Sequence, residues 1–262
     1  MPDIRDDLNH ALSDPDPVRR AQLQMLKPLP KRFYKEVSIG QGADGHQVLL
    51  DGRPVRTPAK HALAVPTTAL AELLRAEWAA QVDVINPALM PVTRLVNTAI
   101  DGVATDPQAV FEDILRFSGT DLLCYRAASP EELVARQADL WDPVISFAAS
   151  SLGARFILIE GVMHREQPRE AVAAFAVTLK KFDSPIALAC LHTITTLTGS
   201  AILAVAFAEG EIDAAEVWSL AHLDEDWQID LWGTDDEAEA RRAKRWDEMK
   251  AAAATFTALN AA

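Results

Sequence analysis

Residues Ser184–Ala208, SPIALACLHTITTLTGSAILAVAFA, hold no charged side chain. A run of this length is long enough to cross a bilayer as a helix. It also carries His192, Thr193, Thr195, Thr196, Thr198, Gly199 and Ser200, a polar load that suits burial inside protein better than contact with lipid. The chain has 262 residues, 49% of them hydrophobic, which is enough to surround such a segment with a core of its own. The run is therefore expected to be the central buried helix, with no membrane span.

Outward from that centre, the chain changes its period once. Near the amino end Arg32–Ile39, His46–Leu50 and Arg53–Arg56 read as antiparallel strands, and Asp51-Gly52 between the last two is a hairpin signal, because both turn positions need positive φ. From Thr67 the spacing becomes helical: Leu70, Leu73, Leu74, Glu77 and Trp78 share a face behind a threonine cap. Asp106-Pro107 reads as cap and first helical residue, Ser129 with Glu132 and Thr234 with Glu237 read as capping boxes, and Asp213 with Glu216 resembles a cap. Arg155–Ile159 reads as a lone strand, followed by a helix after Pro168. The fold class is α+β: a small antiparallel β-rich N-terminal domain (31–90) followed by a larger, mainly α-helical C-terminal domain (91–262), behind a mobile tail (1–30).

Composition narrows the function. The formal net charge is −13 with no basic stripe, which argues against nucleic acid. Between Glu209 and Glu239 stand twelve acidic residues and no Lys or Arg. That segment is either a solvated face or a docking surface for a basic partner. Cys124 and Cys190 stand alone among apolar neighbours and read as buried free thiols. The first twenty residues fit neither a secretory signal nor a transit peptide, which places the chain in the cytoplasm.

Motifs for catalysis are weak. Gly40, Gly42 and Gly45 match G-x-G-x-x-G, but a strand-like run follows where a dinucleotide site needs a helix, so a loose β-turn is expected and no cofactor. His222 and Asp226 would share a helical face, too few ligands for a metal. The richest stretch is Trp218–Gly233, WSLAHLDEDWQIDLWG. As one helix it would gather Leu220, Leu223, Trp227 and Leu231 on one face and Trp218, Glu225, Ile229 and Trp232 on the other. Two stripes demand two partners, and Glu225 within the second should be paired internally or await a donor from outside.

These blocks resemble the ATP synthase assembly chaperones that bind the alpha subunit of the F1 sector, known from mitochondria and alpha-proteobacteria. The resemblance rests on RFYKEV (Arg32–Val37), LDGRPVRTPAK (Leu50–Lys60), EWAAQ (Glu77–Gln81), MPVTRLVNTAID (Met90–Asp101), DLLCYRA (Asp121–Ala127), WDP (Trp141–Pro143), TGS (Thr198–Ser200) and LDEDWQIDLWG (Leu223–Gly233). It implies a two-part fold and a non-enzymatic protein, monomeric and cytoplasmic in bacteria. Such a protein holds the alpha subunit and masks its ring interface until the beta subunit replaces it. It also implies that Glu225, or its neighbours Asp224 and Asp226, matters for partner binding, with Trp218, Gln228, Ile229 and Trp232 around them. The rival readings are a small-molecule enzyme using the acidic cluster near Glu225 and a membrane-attached scaffold built on 184–208.

Overall fold

A computed structural model describes residues 28–161 and 165–261; most of the expected tail, 1–27, lies outside them. The chain divides into two units, Met1–Phe33 with Ala80–Asn86, and Tyr34–Ala79 with Pro87–Ala262. In the described part of the first, Lys31 faces Val84 in an antiparallel bridge. Backbone bonds from Arg32 N–H to Asp83 O (2.9 Å) and Ile85 N–H to Pro30 O (2.8 Å) flank it.

The second unit opens with the small antiparallel sheet. Strands β1 (Val37–Gly42) and β2 (Gly45–Leu50) form a tight hairpin, with β3 (Arg53–Pro54) and β4 (Ala64–Val65) both pairing β2. Asp51 and Gly52 have φ of 47° and 78°, the double positive φ expected of the two-residue turn. The first strand starts five residues later than the sequence suggests, and the third stops at Pro54, beyond which Arg56 pairs only with Ala62. The three glycines belong to this hairpin: Gly40 and Gly42 are paired strand residues, opposite Gln47 and Gly45, and Gly42 and Gly45 flank the turn at 43–44. Gly45 is required there, because its φ is +124° and a Cβ would lie 2.5 Å from Val65 O. The sheet packs on α1 (Thr68–Ala79) through Val48, Leu50, Val65, Leu70 and Leu74. As expected, Thr67 caps this helix, its Oγ1 accepting from Leu70 N–H at 3.2 Å.

Helices follow: α2 (Pro91–Asp101), α3 (Pro107–Ser118), α4 (Glu131–Ser151), α5 (Arg169–Leu179), α6 (Pro185–Thr198), α7 (Ala201–Ala208), α8 (Ala214–Ala221), α9 (Leu223–Trp232) and α10 (Asp236–Leu259). A two-stranded parallel sheet joins β5 (Tyr125–Arg126) to β6 (Ile159–Glu160). The expected strand over 155–159 is reduced to this fragment. Gln167 explains why, since its side-chain amide takes both backbone groups of Ile157, at 2.9 and 3.0 Å, in place of a neighbouring strand.

The uncharged run is not one helix but two, α6 and α7. Gly199, at φ 71°, ends the first by donating to Thr195 O at 2.8 Å, and Ser200 caps the second by accepting from Leu203 N–H at 3.0 Å. No helix among the described residues is long and apolar enough to cross a membrane. Helix α6 packs against α2, α3, α7 and α10. Three of its four threonines close on their own helix: Thr193, Thr196 and Thr198 donate to carbonyls four residues back at 2.8–3.0 Å. Residues Ala201–Ala206 are buried all round, which only a core helix can be. Cys124 and Cys190 are buried free thiols, and burial pushes both pKa values up.

Two of the expected caps move. Helix α4 starts at Pro130 with no side-chain cap, so Ser129 and Glu132 form no box. Helix α10 is capped by Asp235, which accepts from Ala238 N–H at 2.8 Å, one residue after Thr234; Glu237 pairs with Arg241 instead. Asp106 caps α3 as read, and Asp213 and Glu216 form the full capping box of α8.

Three carboxylates, of which Asp121 is fully buried, knit the quoted sequence blocks together. Glu77 accepts from Val92 N–H (2.8 Å) and Thr93 N–H (2.7 Å) at the start of α2. Asp101, at the end of α2, accepts from Thr57 Oγ1 (2.6 Å), Ala59 N–H (2.9 Å) and His61 Nδ1 (2.8 Å). Asp121 is fully buried and accepts from Ser200 Oγ (2.7 Å), Ile202 N–H (2.9 Å) and Leu123 N–H (3.1 Å). Burial pushes the Asp121 carboxyl up to about 6 against these bonds. An acid raised in this way holds its proton more tightly folded than unfolded. Its contribution to stability is therefore fully present below its ordinary value of 3.8 and is lost as pH rises through about 6. Asp121→Asn should be less stable than the parent, with the gap widening as pH falls from about 7 to about 4. Urea midpoints measured across that range check this, and parallel curves for the two proteins contradict it.

Candidate protein-binding cleft

Helix α8 begins at a well-formed cap. Asp213 accepts from Ala215 and Glu216 N–H, and Glu216 returns a bond to Asp213 N–H at 2.8 Å. It runs only to Ala221. At His222 the backbone turns to φ −107°, ψ 16°, and α9 starts anew. The single helix expected over Trp218–Gly233 is thus two, and the reason is the histidine ring. It folds inward to 2% exposure, bonds through Nδ1 to Trp218 O at 2.8 Å and stacks on the Trp218 indole at 3.8 Å. Because Nδ1 meets a carbonyl, it carries a proton; Nε2 is then an acceptor in the neutral ring and a donor towards Glu225 in the charged one. Burial holds the His222 pKa below its usual value, against the pull of Trp218 O and Glu225.

The break redistributes the two stripes. Leu220 and Leu223 are buried, and Trp227 is half-buried against the core. Leu231, expected beside them, is 56% exposed. Trp218 and Ile229 line a cleft of about 780 Å³ between α9 and α10, together with Glu225, Asp226 and Gln228. Trp232 does not line it: it stands at the end of α9, 82% exposed. Gly233, with φ 84° and ψ 179°, then turns the chain into α10, a conformation open in practice only to glycine.

The three consecutive acids diverge. Asp224 turns to α4 and accepts from the buried Gln137 Nε2 at 2.8 Å. Asp226 turns to α10 and pairs with Arg242 at 2.5 Å, not with His222, so the shared face read for a metal does not form. This bond helps to hold the Arg242 guanidinium charged. Glu225 points to the cleft, its side chain 59% exposed and its Oε2 3.8 Å from His222 Nε2. The rest of the acidic run is largely engaged as well: Glu209 with Lys181, Asp213 and Asp235 as caps, and Asp230 with Arg136.

The far wall of the cleft comes from α10 and was missed in the sequence. Arg242, Arg245 and Trp246 line it. Arg245 donates to Leu197 O at 2.6 Å, and the Trp246 indole lies 5.2 Å from that of Trp218. A signal was present, since Arg241–Arg245 is a basic cluster directly after a long acidic run, and residues 242 and 246 share a helical face. Behind the cleft, Trp141 Nε1 donates to Leu220 O at 2.9 Å and fastens α4 to the end of α8.

The family model described as ATP12 chaperone protein matches residues 31–149. The crystal structure of the Atp12 protein from Paracoccus denitrificans is 40% identical, with a TM-score of 0.82 over 88% of this chain and 99% of that one. The chain belongs to the ATP12 chaperone family. The Atu1473 protein of Agrobacterium tumefaciens is nearer, at 64% identity and a TM-score of 0.87 over 97% and 96% of the two chains. The mitochondrial protein atp12 of Schizosaccharomyces pombe is 22% identical over 84% of this chain and 79% of its own length. The ATP12 chaperone family is the group of ATP synthase assembly chaperones that the sequence resembles, and its small antiparallel sheet followed by a mostly helical region is the fold observed here. The matched family segment ends within α4, so the α9–α10 cleft lies outside it.

The two tryptophans once read onto one stripe separate by stability. Trp218→Ala removes an indole packed on His222 and Trp246 and should cost about 2–4 kcal/mol in urea unfolding. Trp232→Ala should cost less than about 0.5 kcal/mol. Equal losses would mean that the two side chains share one buried face after all.

Proposed function

We propose that this chain binds the unassembled alpha subunit of the F1 sector of ATP synthase and masks its ring interface until the beta subunit takes its place. Membership of the ATP12 chaperone family supports the class of activity. The observation that carries the reading to a surface is the end of α9, where Leu231 and Trp232 stand exposed beside a cleft that holds Glu225. An apolar patch beside a carboxylate is what an exchangeable protein partner can use.

The mechanism is competition for one surface, with no bond made or broken by the chaperone. A subunit destined for a ring exposes an apolar interface that aggregates when alone, and a cover that binds it shifts the population towards the folded, soluble form. A complex of ordinary size would bury about 1,600 Å². Displacement then requires that the beta subunit make a larger or better fitted contact than the chaperone does. On this reading the chaperone is a monomer of the bacterial cytoplasm. Asp224, Glu225, Asp226, Trp218, Gln228, Ile229 and Trp232 form or support the docking face.

The test is reconstitution. Purified alpha subunit should co-migrate with this chain on size exclusion, and added beta subunit should release it. Trp232→Ala should weaken the complex by about tenfold or more, as an aromatic anchor does, while its melting temperature moves by less than about 2 °C. A strain lacking the gene that still builds its ATP synthase, with soluble alpha subunit, would refute the proposal.

A further inference from the structure

Residues 52–71 carry Arg53, Arg56, Lys60 and His61 and no acidic side chain, in a chain whose net charge is −13. Elsewhere the cations are often paired, as Arg75, Arg94, Arg126 and Arg136 are with Glu72, Glu248, Asp142 and Asp230. Among the described residues, Arg53, Arg56 and Lys60 meet no carboxylate, and all three are exposed.

Two of them stand on a closely specified hairpin between β3 and β4. Arg56 bridges Ala62, Thr57 N–H donates to His61 O at 3.0 Å, and Lys60 N–H donates to Thr57 O at 2.8 Å. These bonds close a three-residue loop of Pro58, Ala59 and Lys60. Such a loop needs its last residue in the left-handed region, where glycine is the usual occupant. Lys60 stands there instead, at φ 72°. Asp51, the other non-glycine residue with positive φ among the described residues, is explained by its two-residue turn. A backbone strained at an exposed, unpaired lysine directs attention to what that side chain meets.

The loop is also held rigid. Asp101 of α2 accepts from Thr57 Oγ1, Ala59 N–H and His61 Nδ1, and Thr57 Oγ1 accepts from His61 N–H at 3.1 Å. The amides of residues 59, 60 and 61 are thus all committed inside the molecule, which leaves no backbone nest for a small anion. What the loop offers outward is side chains. Arg56 lies along it, donating to Lys60 O at 2.9 Å, and the His61 side chain is 61% exposed.

We infer that this hairpin docks a group of carboxylates on the protein client, met by Lys60 and Arg56 with His61 beside them. The inference rests on the proposed function and adds to it a second contact, on the sheet and apart from α9. Charge complementarity selects the occupant. A chain of net charge −13 repels an acidic client over most of its surface, and a fixed local group of cations reverses that at one place. Exposed charges of this kind act mainly on encounter, so they set association rate and salt dependence more than residence time.

The experiment measures association and dissociation rates of purified alpha subunit with the full chain at low and high sodium chloride. The variants are Lys60→Gln, Lys60→Gly, the double change Arg56→Gln with Lys60→Gln, and a charge control, Arg155→Gln, between α4 and β6. At low salt Lys60→Gln should associate about threefold more slowly and the double variant about tenfold, with flatter salt dependence and little change in dissociation. Lys60→Gly should slow association as Lys60→Gln does, yet melt no lower than the parent and up to about 3 °C higher, because glycine relieves the backbone. Arg155→Gln should match the parent. The inference is overturned if the double variant associates within about twofold of the parent, or if Arg155→Gln slows association as much as Lys60→Gln. It is equally overturned if only variants that melt more than about 4 °C lower lose speed, since the loop is then purely structural. In each of these cases the chaperone reading stands. A parent that does not bind alpha subunit at all would refute the proposed function and the inference with it.

Discussion

A buried carboxylate, Asp121, holds the centre of this protein together. The helix that starts after Ser200 is apolar on every side and sits inside the core, so its first amide groups have no water to turn to. Asp121 supplies acceptors for Ile202 and Ser200 from the turn that follows α3, and Ser200 passes one on to Leu203. An ionised carboxylate in that place is expensive, which is why its proton is held so late. Without the bond, the helix start would be an orphaned polar end in the middle of an apolar layer.

The same device recurs where the other sequence blocks meet. Glu77 caps α2 across the interface with α1, and Asp101 closes the loop that carries Thr57, Ala59 and His61. Short polar words scattered along the chain are thus contact partners: EWAAQ with MPVTRLVNTAID, LDGRPVRTPAK with the end of that same block, and DLLCYRA with TGS. Glu77 and Asp121 meet backbone donors that helix geometry leaves open, and Asp101 meets the turn that carries Thr57, Ala59 and His61. That gives the α+β arrangement its fixed joints without a disulfide between Cys124 and Cys190.

The acidic segment obeys a different logic. Its excess charge suggested a broad electrostatic surface, yet eight of its twelve carboxylates cap helices or are held by Lys181, Arg136, Gln137, Arg241 or Arg242. What remains at the α9–α10 cleft is small: the carboxylates of Glu225 and Glu239, indole walls and the exposed end of α9. A chaperone that must let go is well served by such a site, since a few strong contacts set specificity while a modest area keeps release possible.

Periodicity, turn pairs and most caps were readable from residues alone, because they depend on neighbours within a few positions. Asp51-Gly52, Thr67, Asp106 and the Asp213–Glu216 box all act locally, and so did the shift from strand to helix near Thr67. The break at His222 was not readable in this way, since that residue is compatible with a helix and leaves it only because its ring gains Trp218 and a buried seat. The loss of the strand over 155–159 was equally hidden, for it depends on Gln167, ten residues away from Ile157. Likewise, the divergence of Asp224, Glu225 and Asp226 is decided by Gln137 on α4 and Arg242 on α10, which are distant in the chain. Local propensity is written in the order of residues, whereas the assignment of each carboxylate to a partner is made by packing, which brings distant donors within 3 Å.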